Sequence, residues 1–145
     1  MMSLLRSDLQ VALRDLHLAL QESVDHYRDA AEFVHQQSAA AAFTAIAQQR
    51  EQLADTFAQA IRAADDLPSV PDPELESGEQ FINHLTNLFA ADEIDGLREQ
   101  RLEAEQRLEA LLHSPDCAAL REQQPALQAK CEADIKRARE RLQAL

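Results

Sequence analysis

LQVALRDLHLALQESVDHYRDAAEFV, residues 9–34, places an apolar side chain at every third or fourth position: Leu9, Leu13, Leu16, Leu20, Val24, Tyr27, Ala31 and Val34. That spacing follows the 3.6-residue turn, so it predicts one amphipathic helix of about eight turns. Ser7 and Gln10 have the residues of a capping box, which puts the start at Ser7, or at Ser3, and the end near His35.

The same period continues on the far side of a short turn. Ser38 is the expected N-cap of a second helix, whose stripe carries Phe43, Ile46, Leu53, Phe57 and Ile61. DDLPSVPDPELE, residues 65–76, holds three prolines and cannot continue it. This longest connector is expected to cross one end of a bundle. Ser77 and Gln80 repeat the capping-box pattern ahead of a short extra helix through Phe81, Leu85 and Leu88. A third long helix carries Ile94, Leu97, Ala104, Leu108 and Leu111. Ser114 and Pro115 then open a fourth, lined by Cys117, Leu120, Leu127, Cys131, Ala138, Leu142 and Leu145, which Pro125 should kink or break. Residues 1–145 are read as one all-α domain, a four-helix bundle with one crossover connection.

Composition agrees with that reading and narrows the function. Two glycines, no tryptophan and abundant Ala, Leu, Glu, Gln and Arg favour helix, and 145 residues suffice for one core. Acidic side chains outnumber basic ones by 26 to 14, a formal net charge of −12. Nucleic acid and anionic membrane both need a positive face, so neither is expected as a partner. No apolar run approaches the ~20 residues of a membrane span, and the first residues lack the apolar core of a signal peptide. Cys117 and Cys131 are not spaced as a CxxC pair and fall on apolar faces. A cytoplasmic protein with reduced thiols follows as the expectation.

The polar residues on the stripes are the candidate functional groups. Glu32 and His35 form a Glu-x-x-His, a metal-ligand spacing when it projects into a bundle. Here Glu32 points about 125° from the stripe centre and His35 about 65°, so the pair is expected at the surface. Arg50 and Arg101 instead occupy core-type positions between apolar neighbours. Each must reach the edge of the bundle or meet a carboxylate inside, with Glu105 and Asp134 as candidate partners. Gln124 and Cys131 interrupt the fourth stripe, and Tyr27 faces inward from the first. His17, His26, His84 and His113 are placed on flanks or outer faces. Leu4, Val11 and Leu18 form a second row on helix 1, seven residues apart, suited to a homodimer or higher homo-oligomer.

ESVDHYRDAAE (22–32) and FTAIAQQREQLADTF (43–57), followed by SGEQFINHLTNLF (77–89) and IDGLREQRLEAEQRLEALL (94–112), resemble a small bacterial ferritin-like four-helix-bundle family of uncharacterised function. The correspondence rests on Glu22-Ser23, Tyr27-Arg28, Ala30-Ala31 and Gln49-Arg50. It implies a ferritin-like bundle. The family's third helix has two core acids three residues apart where Arg101 and Ala104 stand, and a helix 4 histidine where Cys131 stands. In the wider ferritin-like template helices 2 and 4 carry Glu-x-x-His; EQLA from Glu51 and EADI from Glu132 keep the Glu without the His. The resemblance therefore implies a degenerate metal site, with no cofactor and no catalytic residue. A non-enzymatic interaction or stress-associated role is the first expectation. A di-iron-type redox enzyme and a thiol sensor acting through Cys131 are the alternatives.

Overall fold

A computed structural model describes residues 5–68 and 93–145. The described residues form an all-α fold: α1 (Asp8–Phe33), α2 (Gln37–Ala63), α3 (Glu93–Leu112), a 3₁₀ turn (Pro115–Cys117), α4 (Ala118–Gln123) and α5 (Pro125–Gln143). No strand occurs among them. The extra helix expected after Ser77, with Gln80, Phe81, His84, Leu85 and Leu88, lies outside the described residues, as does Leu4.

The capping box at the start of α1 is formed. Gln10 N–H donates to Ser7 Oγ at 3.1 Å, and Ser7 N–H to Gln10 Oε1 at 2.8 Å. The helix ends at Phe33, with Val34 extended behind it, so His35 falls beyond the last turn. Ser38 is not the cap of α2. The helix starts at Gln37, and Gln36 stands at the cap position without a side-chain bond. Val34 is 6% exposed and Ala39 fully buried, so the core holds the chain on both sides of this short turn.

The prolines after α2 do not end it. Asp65 takes φ 60°, its N–H bonds Arg62 O at 3.0 Å, and Asp66 N–H bonds Ile61 O at 3.1 Å. This is a Schellman motif, with aspartate at the left-handed position that glycine usually holds. Side chains of α1 and of Arg6 just before it then clamp the turn: Gln10 Nε2 donates to Ala64 O at 2.7 Å, Arg6 meets Asp66 at 2.8 Å, and Arg14 donates to Leu67 O.

Pro125 breaks the last helical segment into α4 and α5. Gln124 takes φ −137° and ψ 63°, outside the helical region that a following proline disfavours. Gln124 sits at that break, half-buried, so it is not the core polar group its place on the stripe suggested.

Two apolar clusters fill the interior. One gathers Leu13, Leu16 and Leu20 of α1, Phe57 and Ile61 of α2, Leu112 of α3, Leu120 of α4, and Leu127, Cys131 and Ile135 of α5. The other gathers Tyr27, Ala30, Val34, Phe43, Ile46, Leu97, Ala138 and Leu142. Cluster membership gives the directions. The end of α2 and the end of α3 lie with the start of α1, while the starts of α2 and α3 lie with the end of α1. α5 runs with α1. The described chain therefore leaves α2 at one end of the molecule and re-enters α3 at the other.

Candidate functional site

Arg50 lies at mid-height, between the two apolar clusters, and is fully buried. It stands on the α2 stripe between Ile46 and Leu53, so helix geometry alone turns it inward. Nη1 and Nη2 bond the two carboxylate oxygens of Glu105 from α3, each at 2.7 Å. Nε donates to Asp134 Oδ2 from α5 at 2.7 Å, and Nη1 also to Ser23 Oγ from α1 at 2.9 Å. One guanidinium thus ties together all four long helices. Such a fork-to-carboxylate pair is the strong form of the ion pair.

Tyr27 completes the layer from α1. Its hydroxyl donates to Glu105 Oε2 at 2.8 Å, which supplies the partner a buried phenol needs. Its ring lies near two guanidinium carbons, 5.8 Å for Arg50 and 5.2 Å for Arg101, within cation–π range. Arg101 is 2% exposed, and its Nε donates to Gln100 Oε1 at 2.6 Å. Glu105 and Asp134 are 1% and 4% exposed. Two buried guanidinium groups, Arg50 and Arg101, therefore share the interior with two buried carboxylates, Glu105 and Asp134.

Electrostatics follow from burial and these partners. Burial opposes the Arg50 charge, but the hydrogen bonds and charge of Glu105, then Asp134, outweigh it and hold the guanidinium above its usual value. Burial, then Glu105, pushes the Tyr27 phenol well above its ordinary range. Arg101 is lowered, chiefly by burial. Cys131 is fully buried, and burial pushes its thiol up to about 12 against an opposing pull from Arg50. Thiolate is the reactive form, so burial disfavours the reactive state of this sulfur. Cys117 is also buried and raised by burial.

The remaining sequence candidates fall elsewhere. Glu32 and His35 are both exposed. Among the described residues, no group of three or more His, Cys, Asp or Glu side chains is placed to hold a metal ion. Val11 is exposed, at 40%, and lines a groove with Pro115 and Ala118. Leu18 is half-buried.

Two features escaped the periodicity. Ser23 lies off the α1 stripe, and a small polar residue one turn before the inward Tyr27 was the available signal. His17, expected on a flank, is 3% exposed. Its position next to Leu16 puts it at the margin of the stripe, and α2 closes over that margin. Neither His17 Nδ1 nor Gln21 Oε1, one turn on, has a hydrogen-bond partner among the described residues. Burial, then Arg62, lowers the imidazole below its ordinary 6.5.

Comparison of the chain with protein-family models, with curated proteins and with solved structures finds no match.

Proposed function

We propose that this chain is a non-enzymatic, ferritin-like four-helix-bundle protein with an interaction role, in which an internal ion pair has taken the place of a dinuclear metal site. The observation that supports this is the Arg50 guanidinium, forked onto Glu105 and bonded to Asp134 at 2.7 Å. In ferritin-like metalloproteins, inward carboxylates on opposed helices bind two cations. Here the same kind of carboxylate meets a cation that belongs to the chain. A divalent ion entering the layer must displace a guanidinium that already satisfies both acids. Cys131, in the position the resemblance gives to a histidine, adds a protonated thiol rather than an imidazole.

Aerobic iron loading followed by elemental analysis tests the reading. Well under one iron per chain is the expected result. Two tightly held irons per chain overturn it and restore the redox-enzyme alternative.

A further inference from the structure

Residues 130–141 of α5 hold five basic side chains against three acidic ones, in a chain of net charge −12. Lys130, Arg137 and Arg141 recur at seven and four residues, so they share one helix face, and all three are exposed. Among the described residues Lys130 and Arg141 join no ion pair, and Arg137 has only a long contact of 3.8 Å with Asp134 Oδ1. The acids of the segment are placed otherwise. Asp134 is bonded inside to Arg50 at 2.7 Å, and Glu132 meets His113 at 2.7 Å. Glu140 lies about 80° round the helix from the stripe, one turn from Lys136. The stripe borders a groove of about 280 Å³ between α2 and α5. Lys130 and Arg137 line one side of it, and Gln49, Gln52 and Thr56 of α2 line the other. That α2 wall is polar without charge. The nearby α2 acids turn toward α1 instead: Glu51 bonds Arg28 at 2.7 Å, and Asp55 acts on His17.

The stripe is short, about 16 Å from Lys130 to Arg141 at helical rise. A nucleic acid or an anionic bilayer laid over it would extend into the negative field of the rest of the chain. A short acidic segment would not, since charges beyond about 8–10 Å are largely screened. We propose that the α2–α5 groove docks a short acidic peptide segment of a partner protein, its carboxylates set on Lys130, Arg137 and Arg141 and its backbone beside the amides of Gln49 and Gln52. Guanidinium groups suit carboxylates because N–H donors and oxygens match in plane. Complementary charge of this kind sets partner choice and encounter rate more than affinity, so the contact is a transient one. The inference names the partner class for the interaction role proposed above and rests on that role. The two fail differently: bound iron overturns the role, whereas absent peptide binding overturns the groove.

Fluorescence anisotropy of the full chain with a labelled Glu-Ala repeat peptide tests the assignment, with a Gln-Ala repeat and an oligothymidylate of matching length as the uncharged and nucleic-acid arms. Saturable binding of the Glu peptide is expected, with both controls weaker by about ten-fold or more. Binding should fade between about 0.05 M and about 0.5 M salt. Lys130→Glu should weaken the Glu peptide by about ten-fold, and Arg141→Gln by about three-fold. Lys136 is also exposed but lies off the stripe. Lys136→Glu makes the same change in net charge as Lys130→Glu and should weaken the peptide by less than about two-fold. Helical circular dichroism should be unchanged in all three variants, since each replaces an exposed side chain. A Glu peptide that does not saturate, a control that binds as well, or equal losses from Lys130→Glu and Lys136→Glu each overturns the proposal.

Discussion

Arg50 shows how one residue can hold more structure than its place in the sequence suggests. A guanidinium fully removed from water is tolerable only when its donors are met, and here Glu105, Asp134 and Ser23 meet them. Arg50→Ala leaves two buried carboxylates without their cation. A loss of roughly 3–5 kcal/mol in urea unfolding is expected. Replacing the set together, Arg50→Met with Glu105→Leu and Asp134→Leu, should cost much less, because no charge is stranded. A loss below about 1 kcal/mol for Arg50→Ala would place this arginine with exposed ion pairs in energetic weight. That Arg50 lies on an apolar stripe was legible in the sequence. Glu105 and Asp134 were legible as candidate partners for the inward arginines, but not that both meet this one guanidinium from 55 and 84 residues away.

At the scale of elements, interiors read more clearly than ends. The α1 start was visible because a capping box is a local pattern of two side chains. The α2 end was legible in place, ahead of residue 65, but not in kind, because a Schellman motif is made by the backbone and here uses Asp65 rather than the customary glycine. An L-residue in the left-handed region costs roughly 1–2 kcal/mol, which glycine avoids at some loss of chain entropy. Asp65 is exposed, so Asp65→Gly should raise stability by about 0.5–1 kcal/mol in urea unfolding. A lower stability would mean that the aspartate side chain supports the turn. Pro125 behaves as its chemistry requires. Its ring ends α4 and opens α5, which frees α4 to lean on α1 while α5 follows α2 and α3.

At the scale of the whole molecule, the described residues form two apolar clusters separated by a charged layer, and the pH response should reflect that division. His17 is held below its ordinary 6.5. As pH falls below about 6.5 the unfolded chain takes up a proton that the folded chain refuses, and stability drops. On the alkaline side, the Cys131 thiol rises from 9.0 to about 12, and Tyr27 is held well above 10.0. Above pH 9 the unfolded chain releases protons that the folded chain keeps, so stability drops again. Urea midpoints measured across pH should form a plateau between about 6.5 and 9. His17→Gln should flatten the acid flank. A midpoint that does not change from pH 7 down to 5 would contradict a buried, neutral His17.

Periodicity in the sequence by itself determined that the described chain is helical and which faces turn inward, since these depend on the 3.6-residue repeat and on neighbours within a turn. It also marked Tyr27, Arg50, Arg101 and Cys131 as polar intrusions on apolar faces. Only the tertiary structure decided what those intrusions do. Side chains separated by dozens of residues met in one plane once the helices were set in order, and the register of α1 against α2 buried His17. Side-chain pattern is written along one helix, whereas the spacing between two helices depends on every residue packed between them.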